Sequence, residues 1–327
     1  MGPFFSTNVK PMKINQLKKT RIHAFAPASV ANVGCGFDVF GFALHNPGDE
    51  VFLTATETPG IRITKILGDE NKLPIDPQKN TASVSLAAMM ADLNFDFGID
   101  LEVHKKMAIG SGLGSSAASS VASVFALNNM LEYPLSKDQL LRYAIEGEKI
   151  ASGESVHLDN IAACLYGGFI LVRSREPIDI VSIPIPDDLY CTVLHPKIEI
   201  KTEIARKMLR SSISMEQAIT QWGNVAGTVC ALFTSDYELL KRSFDDVVVV
   251  PDRALLIPRY YELRDTALAN GAIGCSISGS GPSVFALSNN EYSAKKIGAA
   301  MKNVLSGLDI GIDLYISKIN KEGPKVL

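Results

Sequence analysis

The sequence predicts an α+β protein in two halves. Short β-like runs come first, helices and strands then mix without regular strand–helix–strand alternation, and a linker rich in proline and acid follows mid-chain. The chain has 327 residues, 46% hydrophobic and 20% charged, which is apolar mass enough for two cores.

The runs Arg21–Ala26, Glu50–Thr56, Arg62–Ile66 and Ile99–His104 are β-branched and apolar between Gly, Pro and Asp, and read as strands. A helix is predicted from Ser115 toward Leu131, and the small residues of Ala117–Ser123 allow close approach to a neighbour or ligand. Pro134 ends it, and Ser136 with Gln139 three residues on marks the next helix start. Strands at Gly168–Arg173 and Ile178–Ile183 lead to the linker Pro184–Asp188, whose two prolines and two acids cannot sit inside an element. Beyond it we expect a strand (Tyr190–His195) and helices near Thr202–Leu209, Met215–Thr234 and Pro258–Asn270. A strand (Ser283–Leu287), a helix (Tyr292–Leu305) and a last strand (Asp313–Ile319) follow. The domains are therefore set at 1–186 and 187–327, with residues 1–20 read as a loose extension of the first.

A net charge of −3 argues against nucleic-acid binding, and the basic stretch Lys10–Arg21 is short. The five cysteines, Cys35, Cys164, Cys191, Cys230 and Cys275, are scattered and never form C-x-x-C, so a disulfide framework or zinc site is not expected. They fit a reducing compartment as small buried hydrophobes. Met1–Thr20 lacks the apolar core of a signal peptide, and no run approaches the roughly 18–20 apolar residues of a membrane span. A cytoplasmic location is the expectation.

The chemistry begins at residues 109–116, Ile-Gly-Ser-Gly-Leu-Gly-Ser-Ser, after a strand and opening a helix. Gly110, Gly112 and Gly114 allow positive φ and close ligand approach, and Ser115 and Ser116 fall at a helix N-terminus, whose free N–H groups favour an anion. This is the physics of a phosphate cradle; a plain turn before a tightly packed helix is the bland alternative. It is no Walker A loop, since G-x-x-x-x-G-K-[ST] is absent, and its G-x-G-x-G spacing is not the dinucleotide G-x-G-x-x-G. A second glycine-rich piece, Ile277–Ser283, precedes an apolar strand and reads alone as a turn.

Together with Pro27–Asp38, these two loops form a three-motif pattern, in order and at distances, that resembles the GHMP small-molecule kinases from about residue 22 to 318. Within that superfamily the chain is most similar to the homoserine kinase family. Asn32 and Phe37-Asp38 resemble its substrate segment, His157-Leu158-Asp159-Asn160 its H-x-D-N signature, and Pro251-Asp252-Arg253 its E-P-x-R segment. Ala108 and Val250 depart from the family's usual proline and glutamate.

The resemblance implies a ribosomal-protein-S5-like ATP-binding N-terminal domain and a ferredoxin-like C-terminal one. It implies that Asn32, Asp38, His157, Asn160, Arg206 and Arg253 bind L-homoserine, with Asp38 on the ammonium and the arginines on the carboxylate. It further implies that ATP lies against Asn80, Ile109, Gly110, Ser111, Gly112, Leu113, Gly114, Ser115, Ser116, Gly279, Ser280 and Gly281. Ser116 and Glu148 would hold Mg2+, and Ser116, Asn160 and Thr202 would serve the chemistry. Asn160 stands where related kinases carry a catalytic aspartate, which implies phosphoryl transfer without a dedicated base. The implied setting is threonine biosynthesis by a homodimer. A kinase of sugars or isoprenoid alcohols, or a non-catalytic binding protein of the same fold, are the competing readings.

Overall fold

The computed structural model describes residues 11–153, 156–200 and 202–327. Residues 1–10, half of the expected loose extension, lie outside that range. Residues 12–18 correct the expectation for the rest: Met12 bridges Phe95, Leu17 bridges Leu131, and the Lys18 N–H donates to the Met130 carbonyl at 2.9 Å.

The first sheet is built around a long hairpin, β1 (Arg21–Val33) and β2 (Gly36–Thr56), paired from Arg21↔Thr54 to Val33↔Gly36. Only the ends of these strands were legible, because Pro27, Gly41, Pro47 and Gly48 interrupt the pattern with residues that normally break strands. Next come β3 (Gly60–Leu67), parallel to β4 (Gly98–His104), then β5 (Phe169–Arg175) and β6 (Ile178–Ile183). The far half of β2 pairs with β4 and its near half with β5, so β2 splays the sheet in two directions.

Helices α1 (Thr81–Asp92), α2 (Ser115–Met130) and α4 (Leu158–Tyr166) pack on this sheet, and α3 (Lys137–Ser152) packs on those three helices. Helix α2 lies in the middle, against β1 and β2 on one side and α1, α3 and α4 on the other. That position explains its Ala/Ser composition: a helix buried all round needs small side chains, and its hydroxyls return to backbone carbonyls, as Ser123 Oγ does to Ser119 at 2.8 Å. The predicted start of α3 is present as a reciprocal cap between Ser136 and Gln139.

The second half begins with β7 (Tyr190–Pro196). Helices α5 (Thr202–Lys207), α6 (Met215–Thr234), α7 (Tyr237–Ser243), α8 (Val250–Arg253) and α9 (Tyr260–Ala269) follow. Strands β8 (Gly274–Ile277) and β9 (Val284–Ser288), helix α10 (Glu291–Val304) and strand β10 (Ile312–Lys318) close the unit. The antiparallel order β10-β7-β9-β8, with α9 and α10 packed on the sheet, is the βαββαβ arrangement of ferredoxin-like domains.

The chain does not end there. Ile319 bridges Leu44, and β11 (Lys325–Val326) pairs with β1, tying the tail to the first sheet. One apolar cluster also crosses the halves, joining Phe42 and Leu44 to Val193, Phe285 and Leu287. Cys35, Cys164, Cys191 and Cys275 are buried, and all five cysteines are free. Among the described residues no helix is long and apolar enough to cross a membrane.

Candidate active site

A cavity of about 430 Å3 lies where the β1–β2 turn, the glycine-rich loop, the second glycine-rich loop and helix α5 converge. That volume suits a small-molecule site.

The glycine-rich loop adopts the conformation its composition demands. Gly110, Gly112 and Gly114 have φ of 72°, 78° and 66°. At Gly114 a Cβ would strike Ser29 Oγ and lie 2.7 Å from Asn160 Oδ1, so only glycine fits. Gly114 caps α2 without any side-chain hydrogen bond, leaving the first-turn N–H groups to a ligand. Ser111 lines the cavity, and its buried hydroxyl has no partner among the described residues.

The second loop braces the first. Ser278 Oγ donates to the Gly112 carbonyl at 2.7 Å and Ser283 Oγ to the Ser111 carbonyl at 2.6 Å. Gly279 and Ser280 reach the cavity. Two expected nucleotide contacts do not line it: Leu113 is 1% exposed within the apolar core, and Gly281 packs beneath, where a Cβ would meet Ile257 at 3.1 Å. Asn80 lines the cavity but also caps α1, accepting from the Ala82 N–H at 3.1 Å and donating to the Pro74 carbonyl at 3.2 Å.

At the other end, Asn32 and Asp38 take positive φ (57° and 60°) at the hairpin turn. Asn32 Oδ1 accepts from the Asp38 N–H at 2.8 Å, and its amide donates to the Gly279 carbonyl at 2.8 Å. Arg206, on α5, donates to both Asp38 oxygens at 3.2 and 3.3 Å. Arg253 is 3% exposed and donates to the Gly279 carbonyl at 3.0 Å. Burial pushes its guanidinium down to about 10, which leaves it charged at neutral pH. The Phe37 ring lies under both cations, 5.8 Å from Arg206 and 4.9 Å from Arg253. Thr202 Oγ1 is 3.4 Å from Ser280 Oγ, joining α5 to the second loop.

Glu148 and His157 also line the cavity, Nδ1 to Oε1 at 3.2 Å. Glu148 is 2% exposed, and its Oε2 is buried without a partner among the described residues. Burial pushes His157 down, but the hydrogen bond and charge of Glu148 outweigh it and the net pKa is raised. Asn160 Oδ1 accepts from Ser29 Oγ at 2.9 Å, beside the loop.

Sequence reasoning missed three charged groups here. Asp159 is buried at the start of α4, and burial, with the charge of Asp38 added, pushes its carboxyl up to about 6. Lys105 forms a buried ion pair with Asp49 and donates to the Ser115 carbonyl at 2.8 Å, fixing the first turn of α2. Arg175 ends β5 with Nη2 3.3 Å from Asp38. Only Asp159 carried a local signal, inside the H-x-D-N stretch; the others meet their partners through long-range strand pairing.

Comparison with known proteins gives a consistent picture. The family description "GHMP kinases N terminal domain" matches residues 80–168, and "GHMP kinases C terminal" matches residues 227–307. The chain is 46% identical over 318 residues to a homoserine kinase of Chlorobium phaeobacteroides (strain BS1), covering 94% of this chain and 99% of that one. It is 36% identical over 304 residues to a homoserine kinase of Xanthomonas campestris pv. campestris (strain B100), covering 93% of each. The crystal structure of a homoserine kinase from Cytophaga hutchinsonii superposes with a TM-score of 0.92 at 51% identity, covering 95% of this chain and 98% of that one.

Proposed function

Because the chain belongs to the homoserine kinase family of the GHMP kinases, we propose that it transfers the γ-phosphoryl group of ATP to the side-chain hydroxyl of L-homoserine. The products are ADP and O-phospho-L-homoserine, and the setting is threonine biosynthesis. The observation that carries this reading is a single cavity with two unlike ends. An amide-rich loop at a helix N-terminus lines one end, and Asp38, Arg206 and Arg253 gather at the other. The first suits a polyphosphate; the second suits a zwitterion carrying one ammonium and one carboxylate.

The residue roles follow. Gly110, Ser111, Gly112, Gly114, Ser115 and Ser116 cradle the phosphates, with Ser280 and the Gly279 backbone closing over them. Asp38 takes the ammonium, while Arg206 and Arg253 take the carboxylate. Asn32 sets the turn that presents Asp38, and Asn160 and Thr202 orient the groups at the reacting end. Magnesium fits: Glu148 keeps one buried oxygen unpaired and the Ser116 residue lines the same cavity, as suits an ion held by one carboxylate plus substrate phosphates. When bound, it neutralises charge on the transferring phosphoryl group.

Transfer then rests on positioning and charge stabilisation. The resemblance to the homoserine kinase family supports transfer without a dedicated base. Glu148 raises the pKa of His157, Asp159 does not line the cavity, and Asn160 cannot accept a proton at neutral pH. The substrate proton leaves late, to phosphate or water. The resemblance supports a homodimer, and the free cysteines support a cytoplasmic location. Phosphorus NMR of a completed reaction tests the chemistry: a phosphomonoester on the side-chain oxygen is expected, and an acyl phosphate would overturn the assignment.

A further inference from the structure

Asp38 is held from two sides, and only one of them is committed to substrate. Arg206 donates to both carboxylate oxygens at 3.2 and 3.3 Å. Under the homoserine reading, on which this inference rests, Arg206 turns to the substrate carboxylate when the amino acid binds. Asp38 must then keep its aim without that partner. It stands at a hairpin turn with φ of 60°, where the Asn32 side chain fixes its backbone N–H and leaves its carboxylate unfixed.

Arg175 supplies the second hold. Its Nη2 is 3.3 Å from Asp38 Oδ2, and its Nη1 donates to the Val156 carbonyl at 3.2 Å. Val156 directly precedes His157, so one guanidinium ties the ammonium acceptor to the segment that opens α4. Arg175 comes from the end of β5, a different element from every group assigned to substrate, and it is not among the residues lining the cavity. Its side chain is 41% exposed against 22% for Asp38, so it approaches the carboxylate from the solvent side. A planar fork with donors in fixed directions can hold a carboxylate and a carbonyl together, which a lysine ammonium does less well.

We propose that Arg175 is a positioning residue: it keeps the Asp38 carboxylate aimed into the site as Arg206 moves to substrate, and so sets the preference for acceptor alcohols that carry an ammonium group. It acts through Asp38 and touches neither substrate nor nucleotide.

The test compares homoserine with 4-hydroxybutyrate, which keeps the chain, hydroxyl and carboxylate but lacks the ammonium. In Arg175→Met the ratio of kcat/KM for homoserine over 4-hydroxybutyrate should fall about tenfold. The KM for ATP should stay within about twofold, and Arg175→Lys should recover part of the loss. A parallel fall for both alcohols, an ATP defect of equal size, or an unchanged ratio each overturns the proposal. Failure of the unsubstituted protein to phosphorylate homoserine would instead remove the reading beneath it.

Discussion

Glu148 and His157 form a largely buried pair in which the carboxylate gives one oxygen to the imidazole Nδ1 at 3.2 Å and keeps the other without a partner among the described residues. A native protein rarely buries an unsatisfied carboxylate oxygen without a use for it. Under the proposed function, that oxygen would hold the metal. Glu148→Gln preserves the shape and removes the charge. It should lower kcat by about 10²–10³-fold and raise the magnesium concentration needed for half-maximal rate. The titration midpoint of His157, followed by NMR, should fall in the same variant, because its charged partner is gone. An unchanged magnesium dependence would remove Glu148 from the metal site.

The two arginines should separate. Arg206 is 35% exposed and lies in the substrate end of the cavity, so Arg206→Ala should raise the KM for homoserine at least tenfold at nearly unchanged stability. Arg253 is buried and braces the Gly279 and Ala205 carbonyls at 3.0 and 3.4 Å. Arg253→Ala should raise the same KM and also cost on the order of 3 kcal/mol in denaturant unfolding, since it empties a buried volume and takes a donor from the Ala205 carbonyl, while Gly279 keeps only its bond from Asn32. A dominant ATP defect in both variants would contradict the carboxylate assignment.

Asp159 makes stability depend on pH. Burial raises its carboxyl from 3.8 to about 6, above the unfolded value, so the stability it contributes is full below about pH 4 and lost as pH rises through 6. Asp159→Asn keeps an acceptor for the Asn160 N–H, now bonded at 3.1 Å, and removes the charge. The variant should be more stable than its parent at pH 8 by up to roughly 3 kcal/mol, and no more stable at pH 4. Equal unfolding midpoints at pH 8 would show that the carboxylate is not penalised.

Much of the site was legible because its conformations demand particular residues. The three glycines of the loop sit at positive φ, and the Ser136–Gln139 cap is a local device; both survive in one dimension. Helix α1 has one local signal, the Asn80 N-cap, and the same asparagine also lines the cavity, so its sequence context alone does not separate a cap from a ligand contact. Helix α4 opens at His157 with no side-chain cap, so nothing local announces it. Arg175 and the Lys105–Asp49 pair escaped for a different reason. Their partners lie 137 and 56 residues away in sequence (175 − 38 and 105 − 49), brought together by strand pairing that periodicity does not reveal.

The most direct test of the account is ADP release from Mg-ATP with homoserine, mevalonate, galactose and serine offered separately. The geometry of one carboxylate and two guanidiniums facing a phosphate cradle predicts no turnover with mevalonate or galactose, and membership of the homoserine kinase family predicts homoserine strongly over serine. Turnover confined to mevalonate or galactose, or none with any of the four, would contradict it.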